Sequence, residues 1–397
     1  MKRILLLAVL LSASCQTERP PVQSPVQTPK PVARKEFRGV FVATVANIDW
    51  PSKPGLSTAQ QQAELIRLLD LAVKTRLTAV LLQVRPAGDV LYASPNEPWS
   101  EFLTGKMGRA PQPLYDPLAF AIIEAHRRGL ELHAWVNPFR ASHPKATGPV
   151  AANHISRTRP DWVRTYGKYR WIDPGEPAAV DYVLGVIRDI VRRYDVDGLV
   201  LDDYFYPYPE GNAEFPDAAT YRRTKTKFSV EDWRRDNINQ FVRRLYTDVK
   251  QIKPAVRVGI SPFGIWRSGI PAGIRGSGAF DTTFADSRLW LANGWVDYLA
   301  PQLYWPIDAR EQSFPVLLNW WATQNPRHRE LYPALYTSRI ADGTPQSWSA
   351  SELVNQIALT QTTPGVSGYI HFSARALLED RDGITSRLRV APTALAR

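Results

Sequence analysis

The chain has 397 residues, 44% of them hydrophobic, and a formal charge of +11, so it can bury a large core and needs no covalent staples to fold. Its single cysteine, Cys15, excludes an intramolecular disulfide and a cysteine-built metal site, and its six scattered histidines include no close i, i+4 pair, so neither metal nor cofactor is expected. The positive charge is spread in pairs such as Arg127-Arg128, Arg192-Arg193 and Arg243-Arg244 late in helical patterns, where cations complement the helix dipole, and it does not single out nucleic acid as a partner.

At the start, Met1-Lys2-Arg3 and the short apolar run Ile4 to Leu11 read as a signal peptide over residues 1–14, too brief to span a bilayer. The following Ser12-Ala13-Ser14-Cys15 resembles a bacterial lipobox, with Ser12 where Leu is usual; the resemblance implies lipidation at Cys15 and a membrane anchor. Gln16 after the cysteine, in place of Asp, points by the same resemblance to the outer membrane, facing the periplasm. Residues 15–36 carry Pro20-Pro21, Pro25, Pro29 and Pro31 with little to bury, which predicts an extended tether.

From Phe37 strand and helix patterns alternate. Strands are expected at Gly39–Val45, Thr78–Val84, Glu131–Val136, Asp197–Asp203, Val256–Ile260, Val296–Pro301, Leu331–Leu335 and Val366–Phe372. Helices are expected over Thr58–Lys74, from Asp116-Pro117 to Gly129, over Pro177–Tyr194, and after a Ser229 cap. Eight such units, without a Gly-rich turn after the first strand, predict an α/β fold of the (β/α)8 TIM-barrel type over residues 37–380, followed by a tail over 381–397. The surplus length falls after strands, in residues 85–115, 137–176, 204–228 and 261–285. Elongated βα loops on that face would shape a substrate groove.

The stretch Asp197-Gly-Leu-Val-Leu-Asp202-Asp203-Tyr-Phe-Tyr-Pro-Tyr-Pro209 is a buried strand ending in two carboxylates and a run of aromatics. In barrels of this kind that edge carries the chemistry. Other strand ends supply Asn47, Asp49, Trp50, Gln83, Arg85, Trp135, Asn137, Arg140, Ser261, Trp266, Gln302, Tyr304, Trp305, His371 and Ser373. Carboxylates, amides and aromatics without a cofactor motif suit glycoside hydrolysis, in which one carboxylic acid protonates the leaving oxygen and a second acts as nucleophile or base.

Seven ordered blocks carry a family resemblance: Phe37 to Pro51, Gln83 to Asp89, Glu97 to Ser100, His133 to Arg140, Asp197 to Pro207, Ile260 to Trp266 and Pro301 to Trp305. Together, over about residues 35–378, they resemble the glycosyl-hydrolase-like 10 family of bacterial envelope lipoproteins. The resemblance implies a barrel glycosidase acting on a glycan strand, such as peptidoglycan stripped of its peptides at the division site, with the cell-division machinery as a candidate partner. The fourth strand also looks like the chitinase pattern Asp-Gly-x-Asp-x-Asp-x-Glu; Asp197, Gly198 and Asp202 match, while Val200 replaces the middle Asp and Tyr204 the catalytic Glu.

The acid must then come from elsewhere. Asp203 is the candidate, with Asp202 as its electrostatic partner or the competing assignment. For the second carboxylate Glu97, beside Trp99, is the first choice, and Asp89 and Asp49 are the alternatives. Arg85, Asn137, Gln302 and Tyr304 suit hydrogen bonds to sugar; Trp50, Trp99, Tyr204, Tyr206, Trp266 and Trp305 suit contact with sugar rings. Asp197 and Asp297, each preceding its strand, are expected to be structural, and Trp135 to pack in the core. A glycan-binding protein that has lost its acid pair is the competing class.

Overall fold

The structure, a computed structural model, describes residues 36–390. The signal segment, Cys15, most of the tether and residues 391–397 lie outside the described residues.

All eight expected strands form, and they close on themselves. In chain order they are Phe37–Val42, Ala79–Arg85, Glu131–Val136, Gly198–Leu201, Arg257–Ile260, Tyr298–Leu299, a broken seventh strand made of Glu330–Leu331 and Ala334–Leu335, and Gly368–His371. Each pairs in parallel with the next, and the eighth pairs with the first. The seventh strand closes the ring: its first half pairs with the sixth strand and its second half with the eighth. The break falls at Pro333, which has no N–H to donate. Its carbonyl still accepts from Ile370 N at 3.1 Å, so the chain stays in the barrel wall.

Strand alternation sorts side chains into two cores. Phe37, Phe41, Ala79, Leu81, Trp135, Val200, Tyr298 and Ile370 fill the barrel interior. Val40, Val42, Val80, Leu82, Leu132 and Leu199 point outward against the helices. The helix Thr58–Lys74 buries Leu65, Leu68, Leu69 and Ala72, and starts at Ser57, whose side chain closes a reciprocal capping box with Gln60. Asp116 caps Pro117–His126, and Ser229 caps Val230–Ile252. Arg192 and Arg193 end the helix Pro177–Arg193. Arg381–Gly383 and the helix Ile384–Val390 extend the fold past residue 380, burying Ile384 and Leu388 in the outer core.

Asp197 and Asp297 do the same job at the opposite end of the barrel. Asp197 accepts from the backbone N–H of Leu132 at 2.8 Å and from His126. Asp297 accepts from Val258 N at 2.8 Å and pairs with Lys250. Each ties the start of its strand to the strand before it. Gly198 follows Asp197 because a Cβ there would lie 2.4 Å from the His133 ring, itself buried inside the barrel. The Asp-Gly pair is therefore a packing feature, and the chemistry of its strand lies at the other end.

Candidate active site

At the C-terminal mouth of the barrel a cavity of about 310 Å³ opens over the inner core. Its floor is Phe41, Gln83 and Trp135; its walls include Tyr204, Tyr208, Phe263, Tyr304, Tyr336 and Phe372; Asp202, Asp203 and Arg140 carry its charge. Apolar walls with a few convergent polar groups are the usual form of a ligand site.

Both aspartates line this cavity. Consecutive residues of a strand face opposite ways, but the fourth strand ends at Leu201, which releases Asp202 and Asp203 from the alternation. Each is only 4% exposed. Asp202 is ringed by N–H donors: Trp135 Nε1 at 3.1 Å, Asn137 Nδ2 at 3.1 and 3.3 Å, and the backbone of Tyr204 at 3.3 Å. Asp203 accepts from the Tyr208 hydroxyl and from Gln302 Nε2, the latter at 3.0 Å.

Burial dominates the protonation of the pair, because it removes the charged form from water. It pushes Asp202 up to about 7, against Arg140, which favours the charge, and with Asp203, which opposes it. Burial raises Asp203 as well, while Tyr208 and Gln302 pull it back down. Two raised carboxyls side by side hold a proton into the neutral range as a coupled pair.

The loops that present these groups are tightly built. Gln302 follows the sixth strand, and its backbone N–H bonds to Pro262 O at 2.9 Å. Gly264 lies so close that a Cβ there would sit 2.1 Å from the Gln302 carbonyl oxygen. Ser261 Oγ donates to Ala300 O at 2.8 Å, and Gln302 Nε2 also reaches Ser261 O. On the other side Asn137 accepts from Arg140 N at 3.0 Å through its Oδ1 while its Nδ2 holds Asp202. Asn137 thus connects the third-strand loop to the dyad.

Of the predicted sugar contacts, Tyr204, Gln302 and Tyr304 line the cavity. Glu97 does not. It is fully buried in a bidentate pair with Arg85, Nε to Oε2 at 2.8 Å and Nη2 to Oε1 at 2.6 Å, and Arg85 also donates to the carbonyls of Asn137 and Pro138. Neither side chain reaches the cavity, so the expected second carboxylate and the expected sugar-binding arginine form a structural pair behind the site. The alternatives are structural too. Asp89 is buried against Ala87 N, and Asp49 accepts from Ala43 N, Ser373 Oγ and Arg375 N, joining the first strand's end to the eighth's.

The expected stacking residues are largely packing. Trp50 is buried and donates to Gln61 O; Tyr206 is buried edge-on to Phe215 and Phe284; Trp266 packs on Trp320 and bonds Asp286. Trp99 is half-buried against the outer core, and Trp305 meets the cavity only through its edge contact with Phe263 at 5.6 Å. Trp135 packs inside the barrel as expected and also donates to Asp202.

Sequence reasoning passed over Tyr208, Phe263, His143, Tyr336 and Phe372. Tyr336 follows the seventh strand directly, whose end had supplied no candidate; Phe372 follows the eighth, between the His371 and Ser373 named for it.

A family profile described as Glycosyl hydrolase-like 10 matches residues 36–350. The chain is 42% identical over 369 residues to Glycosyl hydrolase YngK of Bacillus subtilis, covering 89% of this chain and 71% of that protein. It is 36% identical over 403 residues to Glycosyl hydrolase DigH of Escherichia coli, covering 93% and 91%. Among solved structures, the PgaB (BpsB) glycoside hydrolase domain from Bordetella bronchiseptica superposes with a TM-score of 0.61 at 16% identity, covering 90% of this chain and 99% of that one. Alpha-L-fucosidase isoenzyme 2 from Paenibacillus thiaminolyticus matches with a TM-score of 0.54 at 13% identity; the chain spans about half of it, 48%. At these identities the two structures speak for the shared fold.

Proposed function

The chain belongs to the glycosyl hydrolase-like 10 family and is, like its named relatives, a glycoside hydrolase; we propose that its substrate is a bacterial cell-envelope polysaccharide, with peptide-free peptidoglycan glycan strands first in line. The observation that carries the catalytic reading is the Asp202–Asp203 pair, buried at the barrel mouth and walled by aromatic rings.

Asp203 is the proton donor in this proposal. Its Oδ2 faces the Tyr208 hydroxyl, which can accept a hydrogen bond as well as donate one, so a proton on Asp203 finds a partner. Asp202 faces only N–H groups, which cannot accept, and so carries the negative charge. Cleavage then runs with Asp203 protonating the glycosidic oxygen as its bond to the anomeric carbon breaks, while ionised Asp202 faces the positive charge that develops on the sugar ring; a water molecule then bonds to that carbon and returns a proton to Asp203. The aromatic walls lower the local dielectric and strengthen that attraction. Tyr204, at the position where the chitinase pattern has Glu, cannot act as a carboxylic acid.

For its place in the cell, the support is the N-terminal sequence alone: a basic and apolar leader, Cys15, and a Pro-rich stretch. We propose a lipoprotein held by Cys15 in the outer membrane, reaching the periplasmic glycan, with the division machinery as a partner. Labelling with a fatty acid analogue should mark the full chain and leave Cys15→Ala unmarked; label retained in that variant would contradict it.

The substrate is tested by incubating the protein from about Arg34 onward with peptide-free glycan strands, intact peptidoglycan and chitin oligomers, and weighing the products. Cleavage of the stripped strands supports the proposal. Binding without products from any of them would identify a glycan-binding protein instead.

A further inference from the structure

Arg140 is the residue of the cavity left without a conventional role. It is 4% exposed, and among the described residues no carboxylate or carbonyl accepts a hydrogen bond from its guanidinium; its Nε is buried without a partner. A buried arginine is normally paired, as Arg85 is with Glu97 and Arg234 with Asp217 in this same chain. Arg140 is instead held by stacking. Its guanidinium carbon lies 4.2 Å from the centroid of the Tyr204 ring and 6.0 Å from that of Trp171. Its backbone is fixed by Asn137 Oδ1 and by pairing with Trp171 in a small antiparallel sheet of the third-strand loop. Stacking occupies the face of the guanidinium and leaves its N–H edge free for a planar acceptor.

Among the described residues nothing else lining the cavity competes for that cationic role. His143 is the one further basic side chain lining it, and burial, with Arg140 and Lys145 nearby, lowers its pKa to about 4, so it is neutral at pH 7. Arg140 favours the ionised dyad through space, yet it makes no ion pair with either aspartate. A fixed, unpaired fork beside the catalytic carboxylates is built to receive an anion from outside.

Resting on the glycan reading above, we infer that Arg140 binds a carboxylate carried by the sugar at the cleavage site, so that the enzyme reads acidic sugars and discriminates against their neutral forms. The lactyl ether of N-acetylmuramic acid supplies such a group. In intact peptidoglycan that carboxylate is an amide to the peptide, which removes the charge and adds bulk at the same place. Arg140 would thereby account for a preference for stripped strands through one contact.

The test uses Asp203→Asn protein, so that binding is measured without turnover, and two probes: a tetrasaccharide of alternating N-acetylglucosamine and N-acetylmuramic acid, and its lactyl methyl ester. The free acid is expected to bind about 10- to 100-fold more tightly than the ester, the span of a charge-assisted hydrogen bond. Adding Arg140→Met should bring the acid down to the level of the ester. In the active enzyme the same change should raise KM for the acid far more than for a chitin oligomer. Equal binding of acid and ester, or discrimination that survives Arg140→Met, overturns the assignment while leaving the glycosidase reading intact. Failure to bind either probe, with no polymer cleaved, overturns both.

Discussion

Exchanging Glu97 for Gln separates a catalytic from a structural carboxylate. The side chain keeps its shape and one acceptor oxygen but loses the charge that neutralises Arg85, which is 0% exposed. Breaking one side of a buried ion pair leaves an uncompensated charge and costs about 3–5 kcal/mol. The lower end applies here, since Arg85 retains the carbonyls of Asn137 and Pro138. With about 2.1 cal/mol/K of unfolding entropy per residue, a chain of this length should lose about 4 °C in Tm, read by calorimetry. The effect on turnover should be small, because Glu97 lies outside the cavity; Asn137, which links Arg85 to Asp202, can pass on at most about a tenfold loss in kcat. A general acid or base typically contributes 10²–10⁴-fold. If Glu97→Gln leaves Tm within a degree and abolishes turnover of the folded protein, the assignment of Glu97 to the framework is wrong.

Three further outcomes follow from the geometry of the dyad. Turnover should hold from mildly acidic pH up to neutrality and fall about tenfold per unit above pH 7, because the coupled pair must keep its one proton, on Asp203, and the burial that pushes Asp202 up to about 7 sets the range in which the pair loses it; a profile that rises through pH 8 would contradict this. Tyr208→Phe removes a donor that favours ionised Asp203, so the alkaline limb of the kcat profile should move to higher pH, and a shift to lower pH would reverse the assigned sign. Gly264→Ala forces a Cβ against the Gln302 carbonyl, which should cost about 1–3 kcal/mol in urea unfolding and lower kcat by displacing the amide that holds Asp203; unchanged values for both would show that the loop yields freely.

Much of the fold was legible because it rests on periodicity. Buried runs such as Val80 to Val84 and Leu199 to Leu201 have no other place in an α/β domain, and caps such as Asp116-Pro117 mark helix starts locally. The closure of the ring through the broken seventh strand was not legible, since Pro333 reads as the end of a strand rather than as a gap inside one. That Asp202 and Asp203 would share the barrel mouth was legible because carboxylates after an apolar run stand out. That Glu97 lies outside the cavity was not legible, because a carboxylate in a loop after the second strand looks the same whether it faces the cavity or Arg85; only the tertiary path of residues 85–97 decides. The aromatics failed for a related reason. Trp50, Tyr206 and Trp266 are amphipathic, and an N–H that finds Gln61 O or Asp286 can pack a tryptophan inward as readily as toward a sugar. Arg140 was visible in the motif His133 to Arg140, but that its guanidinium is stacked and finds no hydrogen-bond acceptor among the described residues is a property of the folded site alone.

The most direct measurement is kcat of Asp203→Asn beside the native chain on whichever glycan the native chain cleaves, with binding of that glycan measured for both. With Asp203 as the proton donor, kcat should fall at least about a hundredfold with binding kept within a few-fold. Turnover retained within tenfold would remove Asp203 as the proton donor and, with it, the mechanism assigned to this cavity.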